Sequence, residues 1–403
     1  MRVLISGASI AGPVVAYWLA RRGFDVTVVE RAPTLRKTGG HAVDLFRPAM
    51  EISANMGVLP RIEDRATKTT RLSIYHDGAR RPIRVDLTKI YRTASDRHVE
   101  IMRDDLSEIY YDAGRDDIEY LFGDSITAIS PDGDVTFERT PPRKFDVVVG
   151  ADGLHSSVRR LTFGDDAGIT QFLGAYLAVA SVPKTLASER EMIGHVEIGR
   201  MAGVYSAHHL DDARAVFMFH SPELQYHHRD VPRQKDLLRN AFAGMHPRVD
   251  GWLECLDTTP AFYFDSITQL QLDPWSRGRV TLVGDAGYCP GPAVGGSTSL
   301  AVVGAYVLAG ELARAGGDYQ AAFMAYEHQL REPVRRSRAF ARTAAKTVVP
   351  ASRAALWAVT RGAQLVSALP SPLTRAVAKL NTKGVRMHDS IPVPDYTAGV
   401  WQH

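Results

Sequence analysis

The sequence predicts an α/β fold: a Rossmann-like nucleotide-binding domain, an inserted antiparallel-sheet domain and C-terminal helices. Three observations predict it. A strand–turn–helix–strand unit opens the chain over Arg2–Glu30. Two further apolar strands run into glycine-containing turns at Asp146–Gly153 and Arg279–Ala286. Between those two, residues 173–270 alternate short β-type runs with turns. This division gives 1–71, 92–172 and 273–330 to the nucleotide-binding domain. The sheet domain takes 72–91 and 173–272, and 331–403 form a helical region bridging the two.

In the first unit, Val3, Leu4 and Ile5 read as a buried strand. The turn is Gly7-Ala8-Ser9-Ile10-Ala11-Gly12, and a helix follows with Val14, Val15, Trp18 and Leu19 as its apolar stripe. Val26, Val28 and Val29 form the next strand, which stops at Glu30. The pattern matches a dinucleotide-binding start. Gly7 permits the tight turn and Gly12 the close helix–strand packing. The helix N-terminus offers free N–H groups to a pyrophosphate. Glu30 can accept from a ribose hydroxyl, and Arg31 can lie over the adenine or its phosphate. Ser9 stands where the middle glycine is usual. The bland alternative for this segment alone is a βαβ start without a ligand.

The second strand, Phe145–Gly150, runs into Ala151-Asp152-Gly153, with Ser156 placed to cap a helix and Arg159 one turn in. The third, Arg279–Val283, ends in Gly284-Asp285-Ala286. Pro290, Pro292, Gly295 and Gly296 make a rigid loop after it, and a helix begins near Ser297, Thr298 and Ser299.

In this order the three turns resemble the flavin signatures of the single-component FAD-dependent aromatic hydroxylases, the p-hydroxybenzoate hydroxylase family. Within it the likeness is to tetracycline-inactivating flavoenzymes. The resemblance covers most of the chain and is weak over Leu173–Leu270. It implies non-covalent FAD. The turn holding Asp152 would lie near FAD and the nicotinamide nucleotide. Asp285 would bind the ribityl hydroxyls, and the helix at Ser297 and Thr298 would face the flavin pyrimidine edge. Val99–Leu106 resembles the family's Arg-x-x-Leu helix start, whose Arg103 would reach the FAD. Arg36–Leu45, with Gly40 and Asp44, resembles the loop that passes the isoalloxazine. Three departures stand out: Gly287-Tyr288 replaces Ala-His, Gly291 replaces the first proline of a pair, and Ser297 replaces a common glycine.

The implied activity is a monooxygenase. NADPH or NADH would reduce FAD, and O2 would form a flavin C4a-hydroperoxide that hydroxylates an aromatic, phenolic or polyketide-like substrate, including tetracycline-like antibiotics. The flavin carries that chemistry, so no catalytic side chain is assigned. A second glycine-rich unit is missing from the sequence, so the nicotinamide nucleotide is expected to bind transiently. The alternatives are a reductase or dehydrogenase of the same fold, and a flavin protein that sequesters a ligand without turnover. A halogenase is disfavoured because no Trp-x-Trp-x-Ile-Pro segment occurs.

Composition bounds the rest. A net charge of +3 over 403 residues argues against a nucleic-acid surface. Two cysteines, Cys255 and Cys289, suit a reducing, cytoplasmic setting without disulfides. Met1-Arg2 leads straight into a core strand, so no signal peptide is expected, and no apolar run reaches the roughly 18 residues of a membrane span. A monomer or dimer is expected. Tyr205, Phe217, Phe219, Tyr226 and Phe264 are candidates for a substrate pocket, with core packing as the alternative for each. His208-His209 and His227-His228 are adjacent pairs, which point apart on a strand, so no metal site is assigned. From Arg331 to Arg386 the chain is basic and helical, divided at Pro350. Its apolar face is built from Leu356, Trp357, Val359, Leu365, Val366 and Leu369. A membrane-surface helix is the alternative to domain bridging there.

Overall fold

The computed structural model describes residues 1–35, 40–76, 81–88, 97–292, 296–368 and 383–396. A six-stranded sheet forms the nucleotide-binding half. Its order is Ser276–Arg277, Val280–Leu282, Val147–Gly150, Arg2–Ser6, Asp25–Glu30 and Glu119–Phe122. All neighbours are parallel except the short edge hairpin of Ser276–Arg277 with Val280–Leu282. The inner strands are buried on both faces, which is why Val3-Leu4-Ile5 and Val147-Val148-Val149 read as unbroken apolar runs.

The helix Ala11–Ala20 differs from its expected amphipathic form. Every residue from Ala11 to Leu19 is buried, because the helix Ser297–Arg314 packs across its far side. Trp18 sets its edge against Tyr306, with centroids 5.0 Å apart. A helix apolar all round belongs in a core.

The second layer is a seven-stranded sheet, ordered Phe262–Leu270, Thr170–Pro183, Asp212–His220, Arg200–Tyr205, Glu191–Glu197, Arg71–His76 and Ile83–Asp86. It is antiparallel except where Glu191–Glu197 pairs in parallel with Arg71–His76. The inserted segment also holds two helices that strand alternation did not suggest, Val231–Phe242 and Pro247–Glu254. Their start signals are present. Asp230 accepts from the Arg233 amide at 3.1 Å, and His246 accepts from the Arg248 amide at 3.1 Å. Leu238, Phe242 and Trp252 cover one face of the sheet.

The helix Tyr319–Val348, 30 residues long, is capped by Asp318, which accepts from the Ala321 amide at 3.0 Å. At about 1.5 Å per residue it spans about 45 Å. It packs on Ser297–Arg314, and beyond its end Val349 packs with Ala175, Leu177 and Val179 of the seven-stranded sheet. The next helix, Arg353–Ala368, leaves Trp357 64% exposed, so that ring faces solvent. No described helix is long and apolar enough to cross a membrane.

Candidate functional site

The three glycine turns lie at the C-terminal ends of adjacent parallel strands, the usual edge for ligands in α/β sheets. They touch one another. A Cβ at Gly7 would sit 2.5 Å from the Ala151 carbonyl oxygen, and Gly7 has φ +106°, so the first turn closes on the second only with glycine. A Cβ at Gly12 would sit 1.9 Å from the Gly7 carbonyl oxygen. Arg159 joins the second turn to the third. Its guanidinium is fully buried, donates from Nη1 to the Ala286 carbonyl at 2.9 Å and from Nη2 to the Leu154 carbonyl at 2.6 Å, and makes a two-pronged pair with Asp166 at 2.8 and 2.6 Å.

A small cleft lies along this edge, lined by Ala8, Ser9, Glu30, Leu35, Arg103, Asp104 and Ser107. Glu30 is anchored from behind by the Ala8 and Ala32 amides at 3.0 and 2.9 Å. Ile10, the residue before the Ala11–Ala20 helix, makes no side-chain cap, so the first-turn amides are left for a ligand. Ser9 is half-buried here. Arg31 is exposed and within electrostatic reach of His228. Ser107 was not anticipated. Its hydroxyl donates to the Ser9 carbonyl at 2.9 Å and fixes the turn. The signal was available, since Arg103 and Ser107 share one face of the helix Arg103–Asp112.

Farther along the edge, Asp285, Arg103, His41 and Tyr263 converge. Burial raises the Asp285 carboxyl pKa, opposed by the Cys289 thiol and by Arg103. Burial, then Arg103, lowers His41 to about 4, and burial pushes the Tyr263 phenol well up. The His41 and Tyr263 ring centroids are 6.2 Å apart. The Gly40 amide donates to Asp104 Oδ2 at 3.1 Å. Asp44 pairs with His98 Nε2 at 2.7 Å, and its carbonyl accepts from Ser299 Oγ at 3.1 Å. Gly296, at φ +97°, opens the Ser297–Arg314 helix without a side-chain cap, and Ser297 and Thr298 are half-buried in its first turn, as is Pro292 nearby. Arg36 and Gly295 lie outside the described residues.

Asp152 has a different task. Its Oδ1 accepts from Ser156 Oγ at 2.5 Å, and its Oδ2 from the Ser157 and Val158 amides at 2.8 and 3.2 Å. Ser156 in turn accepts from the Arg159 amide at 2.9 Å. Together they cap the helix Ser157–Phe163. The Tyr288 departure is also explained locally. Its ring is 1% exposed and packs on Trp275, and a Cβ at Gly304 would meet its hydroxyl at 1.9 Å. Tyr288 fills the core beneath the Ser297–Arg314 helix.

The five aromatic candidates fall on different faces. Phe217, Phe219 and Phe264 pack with Leu238 and Phe242, on the face covered by the two helices, and Tyr226 packs edge-on against Phe264 at 5.2 Å. Tyr205 faces the other way. Its hydroxyl accepts from the Ala42 amide at 2.7 Å, and it packs with Met102, Met192 and Val216. The cleft-side face therefore carries Tyr205, Met192, Val216 and Tyr263. Among the described residues no group of three or more His, Cys, Asp or Glu side chains is placed to hold a metal ion. His209 pairs with Asp105, and His220 meets two backbone carbonyls.

These turns fit FAD. The anchored acid, the uncapped helix start and the half-buried Asp285 beside Arg103 suit its ribose, pyrophosphate and ribityl groups in that order along the edge. Comparison with known proteins agrees. The FAD binding domain family matches residues 1–337. A Mycobacterium tuberculosis protein described as uncharacterized is 43% identical over 346 residues, covering 83% of this chain and 91% of its own. A flavin-dependent monooxygenase of Legionella longbeachae is 35% identical over 339 residues, 82% of this chain and 85% of its own. The crystal structure of tetracycline destructase Tet(51) superposes with a TM-score of 0.82 at 30% identity, covering 98% of this chain and 99% of that one. Fold and cleft thus define an FAD-dependent oxidoreductase. The chain belongs to the FAD-binding family of flavin-dependent monooxygenases.

Proposed function

We propose that this monooxygenase hydroxylates a phenolic or polyketide-like aromatic substrate, with tetracycline-like compounds the first to test, using NADPH or NADH and O2. The observation that carries the reading is the convergence of three turns on one sheet edge, roofed by the cleft-side face of the seven-stranded sheet. The likeness to Tet(51) supports the substrate class. Bound FAD supplies the redox and oxygen chemistry.

The chain's own residues bind, orient and exclude water. The first-turn amides after Ile10 would hold the pyrophosphate, with Ser9 beside them. Glu30 would accept from the ribose, and Asp285 from the ribityl chain. Arg103 sets a positive charge between the two halves of the cleft, and the Ser297 helix start would favour negative charge on the flavin ring. His41, neutral at pH 7 from its value of about 4, is a hydrogen-bonding group there rather than a second cation. Met192, Val216 and Tyr263 give the apolar wall for an aromatic substrate.

Holoenzyme is incubated with NADPH and a panel of phenols and tetracyclines, and products are read by mass spectrometry. A gain of one oxygen atom with substrate-dependent NADPH loss is expected. NADPH loss with no oxygen in any product would instead indicate a reductase, and ligand binding without NADPH loss would indicate sequestration.

A further inference from the structure

The helix Tyr319–Val348 carries Arg331, Arg335, Arg338 and Arg342, spaced four, three and four residues apart, which places them on one helical face. All four line one open pocket of about 420 Å³, with Asp273 and Trp275 on its other side. This cavity lies outside the cleft described above and shares no lining residue with it.

Two of the four guanidiniums are matched. Arg331 reaches Asp273 at 3.6 Å, and Arg335 pairs with Glu332 at 2.7 Å. Arg338 and Arg342 face no carboxylate at ion-pair distance among the described residues. Arg342 Nε donates to Gln269 Oε1 at 3.2 Å, and Arg338 Nη2 meets the Leu272 carbonyl only at 3.5 Å. Arg338 Nε is shielded from solvent and meets no acceptor. Burial lowers the Arg338 pKa, opposed by Asp273 across the pocket. A basic helical face is ordinarily solvated and needs no ligand. Here the face borders a pocket, Arg342 is exposed with no carboxylate at ion-pair distance, and Arg338 keeps one shielded donor without a partner, which is costly. Guanidinium groups suit phosphate oxygens through paired N–H donors. A volume of about 420 Å³ falls in the range of small-molecule pockets and exceeds what a lone phosphate fills.

We infer that this pocket binds a phosphate-bearing small molecule carrying at least two negative charges, with Arg338 and Arg342 on the phosphates. Two sources share that chemistry: a free phosphorylated metabolite, and the phosphates of the nicotinamide nucleotide.

The test is calorimetric titration of holoenzyme at low salt with inorganic pyrophosphate and, separately, with NADP⁺. The variants are Arg338→Met/Arg342→Met and, as a charge control on another helix, Arg361→Met. Single-site pyrophosphate binding is expected, weakened at least tenfold in the double variant and by less than twofold in the control. Retained flavin absorbance and an unchanged melting temperature certify the fold. If the double variant does not fold, Arg342→Met alone is expected to weaken binding at least threefold. No saturable binding to the parent overturns the inference, and so does equal weakening in the control. NADP⁺ weakened in step with pyrophosphate assigns the site to the nicotinamide nucleotide. NADP⁺ binding unchanged while pyrophosphate binding is lost assigns it to a separate metabolite.

Discussion

Asp152 and Asp285 look alike in sequence. Each follows a buried parallel strand and sits beside a glycine at the same sheet edge, and burial raises the pKa of both. Their surroundings differ. Asp152 is met by a hydroxyl and two backbone amides of its own helix start. Asp285 has a thiol behind it and Arg103 across the cleft. The first carboxylate is satisfied by its own chain and shapes a turn. The second is half-buried and takes no backbone amide from its own chain, which leaves it open to donors on a ligand. Similar motifs can therefore hold a carboxylate satisfied by its own chain and one left open to a ligand, and what separates them is where the hydrogen-bond donors come from.

The largest effect tests whether the two turns form one unit. Arg159→Ala removes a buried guanidinium that links the Asp152 turn to the Ala286 carbonyl and leaves Asp166 unpaired. Breaking a buried pair costs about 3–5 kcal/mol. Denaturant unfolding of the apo-protein is expected to show that loss. A loss near zero would mean the turns are stitched by something else. Next comes Asp285→Ala, expected to weaken FAD binding about ten- to a hundredfold, from about 1.5–3 kcal/mol for a hydrogen bond to a charged group. Fluorescence titration of apo-protein with FAD measures it. Asp152→Ala should reverse the pattern, costing about 1 kcal/mol of stability as a lost helix cap, with FAD affinity changed less than in Asp285→Ala. Equal FAD affinities for the two variants would abolish the distinction.

The sequence made the turns legible because their demands are local. Gly7 and Gly12 answer to atoms a few residues away or on the adjoining strand, and the order strand, glycine, acid survives in a one-dimensional reading. The sheet domain was legible as strands but not as faces. Alternation along Asp212–His220 says that Phe217 and Phe219 share a side, but not that the side is covered by Val231–Phe242. That is decided by packing between segments distant in sequence. Tyr288 follows the same logic. Its departure from the family pattern looks like altered chemistry until Gly304, on another helix, is seen to make room for its hydroxyl.

The smallest effect separates the two carboxylates by proton linkage. Burial raises the Asp285 pKa above 3.8, so folded apo-protein holds this proton more tightly than the unfolded chain does. The stability it contributes is fully present below the unfolded value and is lost as pH rises through the folded one. Ribityl hydroxyls placed at Asp285 would donate to the carboxylate and favour its charged form, so FAD binding should release a proton. FAD affinity is then expected to rise with pH from the carboxyl's FAD-bound value up to its raised apo value, and to level off above. Asp152 has the same direction of shift, but its donors belong to its own helix start, so it is expected to add no slope. His41 titrates near 4 and stays neutral from pH 5 to 8, which removes it as a source there. Titrating FAD into apo-protein from the ordinary carboxylate range upward, about pH 4 to 8, measures the slope, and Asp285→Asn should flatten it while Asp152→Asn leaves it intact. If Asp285→Asn kept the parental slope, the proton would belong to another group and Asp285 would lose its place as the ribityl acceptor.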